Sequence, residues 1–178
     1  HFPIGYAKLD QRRPRAGIDD PSLPFSPPMA DSKTAQTPYT TRLGIDADKR
    51  HQLVELLNTT LAATSDLYSQ TKQAHWNVKG KDFYQLHLLY DELAEKLEEP
   101  ADLIAERIVL LGGYAYGTVR MAAKNSLIDP FPGTDQDEDE SDLNDPSFLT
   151  VLADRWAQYA DHIRESNGKS DEIGDPGT

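Results

Sequence analysis

One run of the sequence, from Leu86 to Leu111, constrains the fold more than any other. Its apolar residues recur at steps of three and four positions: Leu86, Tyr90, Leu93, Leu97, Ile104, Ile108 and Leu111. At about 100° per residue these side chains form one narrow stripe, which predicts a long amphipathic helix packed on a core along that stripe. Asp82 and Gln85, three residues apart, resemble a capping box at its start.

Metal-binding side chains lie on another face of this predicted helix. His87, Asp91, Asp102 and Glu106 fall in a band about 100° wide, centred roughly 140° from the apolar stripe. Their nitrogen and oxygen atoms suit iron, and the chain has no cysteine to compete. At about 1.5 Å per residue, His87 and Asp102 are about 22 Å apart along a straight helix, too far to share one ion. Two antiparallel copies about a two-fold axis would bring opposite ends together, which predicts a site shared between subunits.

A second helix is predicted before this one, from a cap at Asp46 through an apolar face that His75 continues. His75 is either a hydrogen-bonded core residue or a fifth ligand. Trp76 is either a packing residue at the helix end or an electron donor to a neighbouring site. Residues 77–80 form a short turn, so the two helices should be antiparallel neighbours.

Pro100 interrupts the helical pattern. It cannot donate a backbone hydrogen bond to Lys96, so we expect the long helix to kink or divide just before Asp102. Gly112 and Gly113 end this helix, and residues 118–124 suit a short helix in a long crossover. The acidic run 135–142 predicts a solvated loop. A third long helix follows a cap at Asp145 and Pro146.

These residues together resemble a known family. The resemblance rests on three groups at fixed spacing: His75-Trp76 with His87 and Asp91, then Asp102 with Glu106 and Arg107, then Leu111-Gly112-Gly113. The pattern is similar to Dps, the mini-ferritin family of DNA-binding proteins from starved cells, over roughly residues 45–178. The resemblance implies an all-α, ferritin-like four-helix bundle with a short helix in the long crossover. Against that pattern the last bundle helix is absent, so we expect further residues beyond 178.

The resemblance also implies an activity. Members form hollow dodecamers that oxidise Fe(II) with hydrogen peroxide or dioxygen between two-fold-related subunits and store the ferric product as mineral. On this expectation His75, His87 and Asp91 of one subunit and Asp102 and Glu106 of its mate bind the iron. Asp154 and Asp161, seven residues apart, match positions that line the iron channel at the three-fold axis. The alternative for this pair is a solvated stripe on the third long helix.

Residues 1–44 differ from the rest of the chain. They are rich in proline and carry a net charge of +2, six Lys and Arg against four Asp, whereas residues 45–178 carry −14, twelve against twenty-six. The composition predicts an extended or disordered arm beside a helical domain. Its basic cluster is either a DNA-binding arm or a solvated spacer, and consists of Lys8, Arg12, Arg13 and Arg15.

Two rival interpretations remain at this point. One is a non-enzymatic nucleoid protein that compacts DNA through its arms and uses the metal site only structurally. The other is a helical scaffold in which the five ligand-type residues are satisfied polar groups. The sequence contains no run of 18 apolar residues, so it predicts no membrane span. We expect a cytoplasmic, nucleoid-associated protein, with export as the alternative because the sequence does not begin with Met.

Overall fold

The computed structural model describes residues 39–132 and 145–175, with side chains in the second range from Phe148 onward. Residues 1–38 of the arm with its basic cluster, the acidic run and the predicted cap at Asp145 and Pro146 lie outside the described side chains. Five helices occur in these ranges, and the described residues form no strand: α1 Ala47–Asn77, α2 Phe83–Glu95, α3 Glu98–Leu110, α4 Val119–Asn125 and α5 Asp145–Ile173. The predicted all-α fold is confirmed. No helix in the described ranges is long and apolar enough to cross a bilayer.

Helix α1 is the central element, because it packs against each of the other four helices. It is 31 residues long and starts as predicted, with the Asp46 side chain accepting a hydrogen bond from the Asp48 backbone amide at 2.9 Å. Several threonines are buried along it. Thr64 and Thr71 each donate to the backbone carbonyl four residues earlier, which satisfies their hydroxyls within the core.

The long helix predicted around Pro100 is divided in two. Helix α2 ends at Glu95, Lys96 and Leu97 form a turn, and α3 begins at Glu98. Pro100 is the third residue of α3, where its missing N–H leaves the Lys96 carbonyl without its usual helical donor. The regular pattern resumes at once, since the Ala101 amide donates to the Leu97 carbonyl at 3.1 Å. The expectation of a break before Asp102 is confirmed.

The predicted capping box at Asp82 is wrong. Asp82 does precede α2, but its side chain makes no capping hydrogen bond. Its backbone angles, φ −99° and ψ 13°, differ from the extended conformation that directs a cap side chain toward the first amides. The first turn of α2 is instead joined to the preceding turn by a hydrogen bond from the Phe83 amide to the Gly80 carbonyl.

The apolar stripe of α2 and α3 faces the core, as the sequence predicts. Tyr90, Leu97, Ile108 and Leu111 are all buried. Ile108 and Leu111 pack against α1 residues, whereas Tyr90 lies in a second cluster with residues of α5, including Phe148. This stripe orients both helices on α1, so the opposite face carries the polar residues outward.

The segment between α3 and α5 contains the predicted short helix. Thr118 caps α4 through its hydroxyl, which accepts from the Met121 amide. The segment is held to α1 by Asn58, whose side chain donates to the Tyr114 carbonyl and accepts from the Tyr116 amide. At the far end of α5, Asp175 binds Arg107 of α3 at 2.5 Å. These contacts tie the crossover and the end of α5 to the α1–α3 layer.

Candidate metal centre

Two histidines meet where α1 ends and α2 begins. His75 Nδ1 lies 2.9 Å from the His87 carbonyl oxygen, and His87 Nδ1 lies 3.0 Å from the His75 carbonyl oxygen. The two rings stack with centroids 3.7 Å apart. A carbonyl oxygen only accepts, so each Nδ1 must carry the proton and donate. In its neutral form each ring therefore has its lone pair on Nε2, the nitrogen through which such a histidine binds a metal.

Local structure explains why these rings meet. Gly80 has a positive φ of 98°, which permits the tight turn between the helices. Val78 is buried beside Tyr90, so the turn is attached to the core. Phe83 packs against the outer side of the His87 ring at a centroid distance of 5.0 Å. The resulting stack of Phe83, His87 and His75 holds both imidazoles in place.

Asp91 is the third predicted ligand that the structure brings to this place. It lies one turn after His87 on α2, and its Oδ1 is 3.8 Å from Nε2 of His75. Lys72 donates to the same oxygen at 2.5 Å. This hydrogen bond lowers the pKa of the Asp91 carboxyl and raises the pKa of the Lys72 ammonium. Both groups are therefore charged at neutral pH.

Lys72 is the residue of this site that the sequence analysis missed. It lies three positions before His75 on α1, so both side chains occupy one face of that helix. That spacing was an available signal. A lysine beside ligand-type residues is easily overlooked, because an ammonium cannot bind a metal.

Asp102 and Glu106 lie apart from the other three in a single chain. They are four residues apart on α3, which puts them on one face, and both are exposed. In the described ranges, no three or more histidines and carboxylates of one chain converge on a metal position. His75, His87 and Asp91 are neighbours through pairwise contacts, although they do not converge on one metal position in the single chain, and the α3 pair faces solvent.

The three remaining predicted residues that the structure describes, Trp76, Asp154 and Asp161, are on the surface of the single chain. Trp76 follows His75 and is 68% exposed, so core packing does not account for it. Asp154 and Asp161 are exposed on α5, and Asp161 forms an ion pair with Arg164. Their roles as electron donor and as iron channel stay predictions. Lys8, Arg12, Arg13 and Arg15 lie outside the described residues.

Known proteins share this fold. The ferritin-like domain family matches residues 54–178. The DNA protection during starvation protein of Agrobacterium fabrum is 34% identical over 140 residues, which cover 79% of this chain and 82% of that protein. The crystal structure of an archaeal Dps homologue from Halobacterium salinarum superposes with a TM-score of 0.69 at 30% identity, covering 84% and 79% of the two chains.

A third relative extends the comparison. The Dps protein of Vibrio cholerae O1, described as a member of a broad superfamily of ferritin-like diiron-carboxylate proteins, has a TM-score of 0.67 at 27% identity and covers 78% and 82% of the two chains. The helical layers around α1, with a short helix in the crossover, are thus those of a ferritin-like protein. Within that class the chain belongs to the Dps family.

Proposed function

We propose that this protein is a ferroxidase and an iron store. Two copies related by a two-fold axis would form each site, with His75, His87 and Asp91 from one chain and Asp102 and Glu106 from the other. Fe(II) is the substrate, hydrogen peroxide or dioxygen is the oxidant, and the ferric product is kept as mineral inside a hollow dodecamer. The kinship with a ferritin-like diiron-carboxylate protein supports this choice of metal.

The observation that carries the proposal is the reciprocal bonding of His75 and His87. Two buried or half-buried imidazoles are held in the one tautomer that leaves Nε2 available, with a carboxylate one turn away. A pair that merely filled the core would have no need of this arrangement beside a charged Asp91. Imidazoles retain Fe(II), whereas carboxylates favour Fe(III) and so lower the potential of the ion. The proposed mixed set would therefore hold the ferrous ion and promote loss of its electron.

The partner subunit enters because, among the described residues of one chain, no three histidines and carboxylates form a complete metal position. Asp102 and Glu106 project from the exposed side of α3 as a pair, the arrangement needed to complete a site on another copy. An isologous contact would use both ends of the α2–α3 layer at once. Each dimer would then contain two equivalent sites.

We further propose that this activity protects DNA. The Agrobacterium relative is named for DNA protection during starvation. Consuming Fe(II) together with peroxide would remove the reactants that generate damaging radicals, in the cytoplasm beside the nucleoid. Direct binding would fall to Lys8, Arg12, Arg13 and Arg15, because the charge of −14 on residues 45–178 repels phosphate. A purely architectural nucleoid role would show no ferrous oxidation by the intact protein.

The decisive experiment is the Asp102→Ala/Glu106→Ala variant. Peroxide-dependent Fe(II) oxidation should be abolished, while size-exclusion chromatography should still show an assembled oligomer, because the face that carries both residues is separate from the apolar stripe that packs α3 on α1. Asp171→Ala/Glu172→Ala serves as the control, since it removes two exposed carboxylates from α5. Oxidation by the first variant at the unmodified rate would show that the site is assigned wrongly.

A mixing experiment tests whether the site is shared. The Asp102→Ala/Glu106→Ala chain is refolded together with a His75→Ala/His87→Ala chain, each inactive alone. A mixed dimer would contain one intact site and one doubly defective site, so part of the activity should return. If no activity returned although mixed oligomers had formed, the two groups of ligands would not meet across subunits.

A further inference from the structure

A buried carboxylate just beyond the end of α5 binds the helix that carries Asp102 and Glu106. Asp175 is 8% exposed, and its Oδ2 lies 2.5 Å from Nη2 of Arg107. Arg107 is the residue directly after Glu106 on α3. Replacing a buried ion pair with apolar residues often leaves stability unchanged, so stability alone does not account for a pair at this place.

The end of α5 holds Asp175 in a fixed position. Gly174 has a positive φ of 97°, its amide donates to the Asp171 carbonyl at 3.0 Å, and the next amide, that of Asp175, donates to the Ser170 carbonyl at 3.1 Å. These two hydrogen bonds form a Schellman motif. The Ser170 hydroxyl also donates to the Asp175 carbonyl oxygen at 2.7 Å. The acceptor for Arg107 is therefore positioned by α5 and not by α3.

The ion pair acts on the rotation of α3 about its own axis. Ile104 and Ile108 pack on the α1 cluster, with Ala105 beside them toward the ligand face. At about 100° per residue, Arg107 lies on the opposite flank of these isoleucines. The methyl group of Ala105 gives the helix little resistance to rotation. The bond from Arg107 to α5 opposes that rotation, and Glu106, about 100° further round, would move with it.

A small rotation is enough to affect a metal ligand. The side chains of a helix end about 5–6 Å from its axis, so a rotation of about 10° moves a carboxylate there by about 1 Å. Metal–ligand distances vary by only about 0.2 Å, and a misplacement of about 1 Å can cost a reaction about 100-fold in rate. The rotation of α3 therefore decides whether Glu106 can reach an ion on another subunit.

We propose that Asp175 is a positioning residue for Fe(II) oxidation, which through Arg107 fixes the rotation of α3 and so directs the Glu106 carboxylate at the metal position of the partner subunit. The inference rests on the proposed function, because Glu106 is a metal ligand only there. Asp175 itself touches no iron. The end of α5 thus belongs to the machinery of a site to which it contributes no ligand.

The test is a double-mutant cycle measured by equilibrium dialysis of the full-length oligomer against Co(II), which takes nitrogen and oxygen ligands as Fe(II) does. Asp175→Asn should weaken Co(II) binding about 10-fold, the lower end of what residues behind metal ligands contribute. In the Glu106→Ala background the same change should alter the affinity by less than about twofold, because the ligand through which it acts is gone. A structural role would weaken binding equally in both backgrounds.

Asp171→Asn is the matched control, since it removes an exposed carboxylate from the same end of α5 and should bind Co(II) as the unmodified protein does. Arg107→Lys keeps the cation but loses the planar fork, so it should weaken binding in the same direction. This variant carries the test if Asp175→Asn does not assemble.

Unchanged Co(II) affinity in an assembled Asp175→Asn, or in Arg107→Lys where that variant carries the test, would overturn the inference and leave the proposed ferroxidase intact. Equal losses with and without Glu106 would also overturn it, since Asp175 would then act on the whole fold. If Glu106→Ala alone bound Co(II) as tightly as the unmodified protein does, the ligand assignment of the proposed function would fail, and this inference with it.

Discussion

Replacing Gly113 with alanine should destabilise the fold, because the end of α3 lies directly against α1 there. A Cβ atom at Gly113 would be 2.6 Å from both γ-methyl carbons of Val54 and 3.0 Å from Cγ2 of Ile108. Carbon atoms in good contact are about 3.5–4.0 Å apart, so the backbone or these neighbours would have to move by about 1 Å. Val54 and Ile108 are buried and β-branched, so neither side chain can rotate away freely.

Overpacking of this kind costs about 1–3 kcal/mol. With a urea dependence of about 2 kcal/mol per molar, the unfolding midpoint of Gly113→Ala should fall by about 0.5–1.5 M. The measurement is equilibrium unfolding followed by circular dichroism at equal protomer concentration, because assembly itself stabilises the folded chain. Gly117→Ala is the control, since its Cβ would meet only Leu61 Cδ2, at 4.0 Å.

A double-mutant cycle with Val54→Ala checks the cause. Val54→Ala loses buried methyl groups and should destabilise the protein when made alone. Combined with Gly113→Ala it also removes the two shortest contacts, so the double variant should lose less stability than the sum of the losses of the two single variants. Strict additivity, or an unchanged midpoint for Gly113→Ala, would refute the steric argument.

Three further predictions concern pH, iron uptake and DNA. Burial lowers the pKa of His162, which forms a 2.9 Å hydrogen bond with Thr60, so the unfolded chain takes up a proton at this histidine more readily than the folded chain does. Stability should therefore fall as the pH drops below about 6.5, and His162→Gln should reduce the change in the urea midpoint between pH 7.5 and 5.5. Asp154→Asn/Asp161→Asn should slow iron uptake and blunt its salt dependence without affecting oxidation at preloaded sites, and unchanged uptake at low salt would make both residues a solvated stripe. Deleting residues 1–20 should abolish gel retardation of DNA at low salt and leave ferrous oxidation unchanged. If the shortened protein still retarded DNA, the basic cluster of the arm would not be the DNA-binding site.

Much of the fold follows from local patterns in the chain. The apolar stripe from Leu86 to Leu111 predicts which face is buried, because an α-helix has 3.6 residues per turn regardless of what the helix packs against. Pro100 predicts the break between α2 and α3 for an equally local reason, the missing N–H. The Asp46 cap was correct on the same basis. The prediction of a cap at Asp82 was wrong because capping also needs an extended backbone, and the turn before α2 gives Asp82 another conformation.

The partners of the site residues could not be derived in that way. Spacing places His75, His87 and Asp91 on their helices, yet it does not show that His75 and His87 bind each other's carbonyls. Nor does it show that Lys72 donates to Asp91. These contacts depend on the register of α2 against α1, which the Gly80 turn and the packing of Val78 against Tyr90 set together. If one helix slid along the other, the sequence periodicity would be unchanged but each of these pairs would be separated. Periodicity is a property of one helix, whereas these contacts depend on the relative position of two helices.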